Sequence, residues 1–271
     1  MKKPLVSVLL CTNQVNYYLN MAIDSILNQT FDSFELIIIA NGLADDQFDL
    51  LGGVTKDERV RIYRTSFSGL TFSLNLGLHY SIAPFVARMD ADDIAYPTRL
   101  AKQYELLRTK ESICVCGSWI ELIDPNHKPI RVVKYAVNDA KLKQALYFSN
   151  PFCHPSVMVR KSAIQSCGGY MGGTYAEDYD LWVRLARDKK NSFANIPEVL
   201  LGYRAQSIGY ARGSAQAYAS VSGSQWSEFV FGGNVVWFLA SCLTLLKRVF
   251  VLRRLMSRDA FMRALKNFNK S

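Results

Sequence analysis

The chain opens with LVSVLLC at residues 5–11, followed at residues 16–28 by NYYLNMAIDSILN. The first segment is a continuous run of leucine, β-branched and small residues, which is typical of a buried strand. In the second segment the apolar residues recur at helical spacing. They share one face of the predicted helix: Leu19, Ala22, Ile23, Ile26 and Leu27. Together the two segments predict a strand followed by a helix, the βα unit.

The βα pattern continues along the chain. Three further buried strands are predicted at residues 34–40, 60–63 and 84–89, with a helix at residues 69–81. Strands that alternate with helices indicate an α/β fold with a Rossmann-like, mostly parallel central sheet flanked by helices. Later segments predict a small antiparallel addition and more helices. These are two strands within residues 114–133 joined by a turn at 124–129, a helix near 138–147, a strand at 154–159 and a helix at 177–187.

Length and composition fit one large domain with an appendage. The chain has 271 residues, of which 49% are hydrophobic, so it can bury a sizeable core. The sequence changes character after about Gly213. We therefore expect a catalytic domain over residues 1–212 and a C-terminal helical tail, apolar and basic, over residues 213–271.

Charge and cysteine usage restrict the partners and the compartment. A net charge of +9 favours an anionic partner, such as a nucleotide diphosphate or an acidic membrane surface. Nucleic acid is not expected, because the basic residues are spread along the chain and concentrate after Lys247 beside apolar ones. The six cysteines have no zinc-type spacing and predict buried free thiols in a reducing cytoplasm. The first apolar run is too short for a signal peptide, so we expect a cytoplasmic protein.

Residues 229–246 contain no charged residue, and basic pairs follow at 247–248 and 253–254. This apolar stretch reaches only the lower limit for spanning a bilayer, and Gly232-Gly233-Asn234 interrupts it. We therefore expect peripheral contact with the inner face of the cell membrane, with the basic residues at the lipid headgroups. A buried structural helix and a true span are the alternatives.

The strongest chemical signal is RMDADD at residues 88–93, where three carboxylates follow an apolar strand within four positions. Ligands of parallel sheets bind beyond the carboxyl ends of the strands, so a site is expected here. Mg²⁺ and Mn²⁺ prefer carboxylate oxygens together with the oxygens of a substrate phosphate. The spacing alone is a weak signal, because a polar turn that caps a helix beginning near Pro97 would show the same residues.

Three parts of the chain closely resemble family-2 glycosyltransferases. They are residues 82–107 around the aspartates, then PLVSVLL (4–10), SILNQT (25–30) and FELII (34–38) near the N-terminus, and NPFCHPSVMVR (150–160) with AEDYDLW (176–182). Together they cover about residues 4–205 in the order that the family shows. A chance match of all three parts is not expected.

The resemblance implies a GT-A fold, a nucleotide-activated sugar donor, a divalent metal (Mn²⁺ or Mg²⁺) and inversion at the anomeric carbon. Asp92 matches the metal-binding aspartate, and Asp90 matches the first D-x-D residue, near the metal and the donor's ribose or sugar. Asp178 matches the acidic residue that acts as general base on the acceptor hydroxyl. An inverting displacement needs this division, because the base and the leaving diphosphate lie on opposite sides of the reacting carbon.

The same resemblance implies further site residues. We expect Thr12, Asn41, Asn75 and Arg88 in the nucleotide-sugar pocket, and His154, Glu177 and Arg204 beside the acceptor or the phosphates. Two positions depart from the family pattern. Asn41 stands where a second aspartate is usual, and Gln206 stands where histidine is usual. Asn41 can still accept a hydrogen bond from uracil through its amide oxygen, so a UDP-sugar is the favoured donor.

Two other functions are compatible with parts of this pattern. A metal-dependent nucleotidyltransferase or phosphoryltransferase also uses aspartates on an α/β sheet, but no Gly-rich phosphate loop follows Cys11. A degenerate, non-catalytic nucleotide-sugar-binding protein would explain Asn41 and Gln206, but it would not need Asp90, Asp92 and Asp178 together. We therefore expect a glycosyltransferase of bacterial surface polysaccharide assembly, with a saccharide or lipid-linked saccharide as acceptor.

Overall fold

The computed structural model describes residues 3–172, 175–204, 214–247 and 249. These residues contain one sheet of nine strands. Its first half is built from β1 (Val6–Thr12), β2 (Phe34–Asn41), β3 (Val60–Thr65) and β4 (Phe85–Asp90). The spatial order is β3-β2-β1-β4, and all of these neighbours are parallel. The carboxyl ends of β1, β2 and β4 therefore meet at one edge of the sheet.

The second half of the sheet is mixed. It consists of β5 (Ile94–Ala95), β6 (Ile113–Ile123), β7 (Pro129–Val133), β8 (Met158–Arg160) and β9 (Ser192–Arg204). β8 lies between β4 and β6 and is antiparallel to both. β9 is parallel to β6, and β5 pairs with it in the antiparallel sense. Because β5 begins directly after Asp93, its pairing with β9 fixes the position of the aspartate loop.

The helices pack their apolar faces on the sheet. They are α1 (Tyr17–Leu27), α2 (Asp45–Gly52), α3 (Leu70–Tyr80), α4 (Arg99–Thr109), α5 (Asp139–Ala145), α6 (Lys161–Ser166), α7 (Glu177–Arg187) and α8 (Ala215–Gly232), with a further helical segment at 235–247. Successive residues of β1 enter two separate cores, Val8 and Leu10 on one face and Leu9 and Cys11 on the other. Both faces are therefore covered, as buried parallel strands require.

The α/β class, the mostly parallel sheet and the antiparallel hairpin of β6 and β7 are confirmed. The strand predicted at 154–159 is partly wrong, because His154–Ser156 form a 3₁₀ turn and β8 begins only at Met158. Pro155 accounts for the difference, since proline has no N–H for the ladder of a central strand. The sequence analysis did not predict α2, β5 or β9. All six cysteines carry free thiols, as predicted, and four of them are buried.

The described part of the C-terminal tail packs against the catalytic part. Arg187 of α7 forms an ion pair with Glu228 of α8, and Gln225 donates to the hydroxyl of Tyr179 at 3.0 Å. Across the described ranges, we find no helix with the length and apolar character needed to cross a membrane. The domain boundary expected at residue 212 falls among residues 205–213, outside the described part, and stays a prediction.

Candidate active site

Three aspartates gather where β4 ends. Asp90 is the last residue of β4, and Asp92 and Asp93 lie in the loop before β5. Carboxylate oxygens from the three residues lie within 4.8 Å of one another. The structure therefore brings together Asp90 and Asp92, as the sequence predicts, and adds Asp93. Oxygen atoms at this spacing suit one divalent cation.

Asp93 is the most buried of the three, with 0% of its surface exposed. Its Oδ1 accepts a hydrogen bond from the backbone N–H of Arg204 at 2.9 Å. Its Oδ2 has no hydrogen-bond partner among the described residues. A buried oxygen without a partner is costly unless a cation or solvent satisfies it. The sequence analysis did not assign Asp93 to the site, although its position in D-x-D-D was visible.

The electrostatics of the cluster favour a bound cation. Burial raises the pKa of Asp92 and of Asp93, and the neighbouring Asp90 carboxylate raises both pKa values further. The ionised cluster is therefore unfavourable without compensating positive charge. Arg88 supplies part of it, since its buried guanidinium forms an ion pair with Asp90. A divalent cation would supply the rest, so these residues fit the metal that the resemblance implies.

Two buried arginines hold the aspartate loop in place. Arg99 donates to the carbonyl oxygen of Arg88 at 2.6 Å. Arg204 donates through Nε to the carbonyl oxygen of Asp92 at 2.7 Å, and its guanidinium lies 4.1 Å from the ring centroid of Tyr18. The resemblance placed Arg204 beside the acceptor or the phosphates. In the structure its guanidinium contacts the D-x-D loop, and a role beside the acceptor or the phosphates stays a prediction.

Asp178, the expected base, lies in the first turn of α7 and is partly exposed. Its Oδ2 accepts from Nδ2 of Asn150 at 2.6 Å, and its Oδ1 accepts from the backbone N–H of Tyr179 at 2.7 Å. These two hydrogen bonds hold both oxygens of the carboxylate in a fixed orientation. An oriented carboxylate suits a general base. Asn150 lies in one of the family motifs, but the sequence analysis gave it no role.

Glu177 connects the base to the aspartate cluster. Burial raises its pKa from 4.5 to about 7, and the Asp178 carboxylate contributes to the shift. Asp90 raises the pKa of Glu177 as well, whereas Arg88 lowers it. Charges act on one another over short distances in a protein interior. The beginning of α7 therefore lies within electrostatic range of the end of β4.

His154 lies in the 3₁₀ turn, with its Nε2 3.2 Å from the hydroxyl of Tyr170. Asn75 of α3 holds Tyr170, since its amide accepts from the backbone N–H and donates to the backbone carbonyl of that residue, both at 2.8 Å. Asn75 was expected in the nucleotide pocket. Its described hydrogen bonds go instead to the Tyr170 backbone. No feature of the sequence pointed to Tyr170.

Thr12, Asn41, Arg88, Asp90 and Asp92 line a single cleft of about 370 Å³. The cleft lies beyond the carboxyl ends of β1, β2 and β4, where α/β sheets bind their ligands. Five of the residues that the sequence analysis placed near the donor thus share one surface. This is the candidate donor site.

Thr12 and Asn41 already make local hydrogen bonds in the cleft. The Thr12 hydroxyl donates to the carbonyl oxygen of Gln14 at 2.5 Å. Oδ1 of Asn41 accepts from the backbone N–H of Gly69 at 2.8 Å. An amide oxygen has a second lone pair, so Asn41 can still accept from a nucleotide base. Gln206 lies outside the described residues.

Comparison with known proteins points to one family. The family model described as Glycosyl transferase family 2 matches residues 7–168. The O-antigen biosynthesis glycosyltransferase WbnJ of Escherichia coli is 38% identical over 244 residues, covering 88% of this chain and 94% of WbnJ. The Escherichia coli UDP-Gal:alpha-D-GlcNAc-diphosphoundecaprenol beta-1,3-galactosyltransferase is 26% identical over 239 residues, covering 86% of this chain and 85% of that protein.

The fold is shared with solved glycosyltransferases. The mannosyltransferase PcManGT from Pyrobaculum calidifontis, solved with GDP-Man and Mn²⁺, superimposes with a TM-score of 0.66 at 14% identity. The superposition covers 98% of this chain and 80% of PcManGT. This likeness confirms the GT-A fold expected from the sequence. Since the family model spans more than half of the chain and WbnJ is similar over nearly its whole length, this protein belongs to glycosyl transferase family 2.

Proposed function

We propose that this protein is an inverting, metal-dependent glycosyltransferase that moves a sugar from a nucleoside diphosphate donor to a saccharide or lipid-linked saccharide acceptor. One observation carries the proposal. The site contains two separate acidic groups, the cluster of Asp90, Asp92 and Asp93 and the oriented carboxylate of Asp178. The aspartate cluster suits a divalent cation, and the Asp178 carboxylate suits a proton acceptor.

The chemistry divides between these groups. When bound at Asp92, Asp90 and Asp93, Mn²⁺ or Mg²⁺ supplies a Lewis acid for the charge on the leaving diphosphate. Asp178 accepts the proton of the acceptor hydroxyl while that oxygen bonds to the anomeric carbon and the bond to the diphosphate breaks. The nucleoside diphosphate leaves from the opposite face, which inverts the configuration. Asn150 keeps the Asp178 carboxylate oriented for this transfer.

A UDP-sugar is the donor that we favour. The Escherichia coli galactosyltransferase carries UDP-Gal in its name, and Asn41 keeps an oxygen lone pair available in the cleft. The same name contains a diphosphoundecaprenol acceptor, and WbnJ is named for O-antigen biosynthesis. These names support a lipid-linked acceptor and a role in bacterial surface polysaccharide assembly for this chain as well.

We place the reaction in the cytoplasm at the inner face of the cell membrane. The C-terminal helices expose large apolar side chains, including Phe231 (77% exposed), Val230 (61%), Val235 (60%) and Leu239 (53%). Exposed apolar residues beside basic ones are typical of helices that contact a membrane surface. Peripheral contact would bring the site to an acceptor held on a lipid.

Calorimetry with a panel of nucleoside diphosphates, with and without Mn²⁺, tests the donor site. We expect one nucleotide to bind the intact protein in a metal-dependent way, and we expect Asp92→Ala to lose this binding. Asp46→Ala, which removes an exposed aspartate of α2, is the matched control and should bind as the intact protein does. Absence of binding to any nucleotide would indicate a non-catalytic scaffold. Release of pyrophosphate in a turnover assay would indicate a nucleotidyltransferase.

A further inference from the structure

A second pocket, of about 260 Å³, lies beside the expected base. Asp178 and Asn150 line one part of it. Another part is lined by the C-terminal helices, through Tyr218, Thr244 and Lys247. Among the residues that the structure describes, none lines both the donor cleft and this pocket. The two sites can therefore be changed separately by mutation.

The lining of the pocket suits a sugar that carries an anionic group. Six aromatic residues contribute to it: Tyr135, Phe148, Phe152, Tyr175, Tyr179 and Tyr218. Aromatic walls with a few polar groups are typical of sites for small organic ligands. Within the described lining, Lys247 is the basic residue and Asp178 the acidic one. A lysine ammonium is a common ligand of phosphate oxygens.

The helical wall of the pocket is held firmly to the catalytic part. Gln225 of α8 donates to the carbonyl oxygen of Tyr147 at 3.1 Å. The ring centroid of Trp237 lies 4.4 Å from that of Tyr147, and Nδ2 of Asn234 lies 3.3 Å from the Tyr147 hydroxyl. Both C-terminal helices thus contact Tyr147, which directly precedes the pocket residues Phe148 and Asn150. The wall is part of the site, although it lies outside the region that the family model matches.

We propose that this pocket binds the acceptor, and that Tyr218 and Lys247 select an acceptor whose sugar is joined to its lipid through phosphate. The inference rests on the proposed transferase function and names the acceptor class. The acceptor sugar lies at Asp178, and its phosphate lies at Lys247. The C-terminal helices therefore determine specificity in addition to contacting the membrane.

Binding of farnesyl diphosphate, a soluble prenyl diphosphate without a sugar, tests this pocket. The measurement is made in EDTA, so that no divalent cation draws the diphosphate into the donor cleft. We expect Lys247→Gln to weaken binding about tenfold or more and Tyr218→Ala to weaken it severalfold. Lys189→Gln removes an exposed lysine elsewhere and should stay within twofold of the intact protein. Equal affinities of Lys247→Gln and Lys189→Gln would overturn the inference.

Two further measurements distinguish acceptor binding in this pocket from the transferase function and from membrane binding. Metal-dependent nucleoside diphosphate binding should be the same in Lys247→Gln as in the intact protein, and its absence from both would count against the transferase function alone. Binding to phosphatidylglycerol vesicles should change less than twofold in Lys247→Gln. A loss of vesicle binding with unchanged farnesyl diphosphate binding would assign Lys247 to the bilayer surface instead of the acceptor.

Discussion

At the scale of single residues, Asp178 is the side chain whose replacement separates chemistry from binding. Asp178→Asn keeps the size of the side chain and removes the proton acceptor. Because general base catalysis contributes about 100-fold or more, we expect kcat to fall by at least that factor. The dissociation constant of the nucleoside diphosphate should stay within twofold, since Asp178 does not line the donor cleft. Steady-state kinetics and calorimetry check both expectations.

Asp188→Asn is the control for this experiment. Asp188 is exposed at the other end of α7, and its replacement should leave kcat unchanged. A loss of less than tenfold in Asp178→Asn would show that another group accepts the proton. Glu177 would then be the next candidate, because it is the neighbouring carboxylate.

Glu177 makes the stability of the metal-free protein depend on pH. Its pKa is about 7 in the folded protein against 4.5 as its usual value, so the folded state binds the proton more tightly. This contribution to stability is fully present below the unfolded pKa and is lost as pH rises through the folded pKa. The shift corresponds to about 3 kcal/mol of unfolding free energy. Between pH 5 and pH 8, wild type should lose more stability than Glu177→Gln.

Urea denaturation in EDTA at pH 5 and pH 8 measures this difference. Asp92 and Asp93 have raised pKa values too, but both are present in the variant, so the comparison isolates Glu177. Between pH 5 and pH 8, we expect the unfolding free energy of Glu177→Gln to rise by about 2 to 3 kcal/mol relative to that of wild type. An equal difference between the two proteins at both pH values would contradict the assignment.

The residues of the site differ in how well the sequence revealed them. Asp90, Asp92 and Asp178 could be assigned roles because the family motifs carry them at fixed spacing. Tyr170 and Asn150 were not assigned, because their roles depend on contacts with residues 16 and 28 positions away along the chain. Such contacts exist only after the chain folds. The motif also suggested ligand contact for Arg204, which stays a prediction; its described hydrogen-bond partners include the backbone carbonyls of Asp92 and Asp124.

At the scale of elements, the loop between α6 and α7 depends on a glycine. Gly169 has φ of 83°, and a Cβ there would lie 2.6 Å from Oδ1 of Asn75. That oxygen already accepts from Tyr170. Gly169→Ala should therefore lower the unfolding free energy by about 2 to 3 kcal/mol, from backbone strain and a weakened hydrogen bond. Denaturant unfolding measures the loss.

Gly52→Ala provides the matched control. Gly52 lies at the end of α2, and a Cβ there would meet no atom within 4 Å. Alanine in a helix is favoured over glycine by about 0.5 to 1 kcal/mol, so this variant should be unchanged or slightly more stable. If both alanine variants unfold alike, the loop does not depend on the conformation of Gly169.

The elements that the sequence predicted best are those whose apolar residues form a continuous run or recur with one clear period. β1, β2 and α1 are continuous or periodic apolar runs, and the structure has them close to the predicted positions. β9 was not predicted, because the exposed residues Pro197 and Glu198 interrupt its apolar pattern, and the register to β6 shifts around them. β5 has only two residues. Its strand conformation comes from pairing with β9, which no local pattern can show.

At the scale of the whole molecule, the positive charge and the exposed apolar residues of the C-terminal helices predict binding to anionic vesicles. Phe231 is 77% exposed and lies on α8. If it enters the acyl boundary, its replacement by serine removes apolar area worth about 1.5 kcal/mol or more. We therefore expect Phe231→Ser to bind phosphatidylglycerol vesicles roughly tenfold more weakly.

Phe67→Ser separates this effect from a general loss of surface hydrophobicity. Phe67 is 67% exposed but lies between β3 and α3, far along the chain from the C-terminal helices. Its replacement should leave vesicle binding within twofold, and salt should weaken binding of all three proteins, since the basic residues attract the headgroups through screened charge. If Phe231→Ser and Phe67→Ser bind alike, the C-terminal helices do not insert. Recognition of a lipid-linked acceptor would then depend on the acceptor pocket alone, and farnesyl diphosphate binding by Lys247→Gln would still test that pocket.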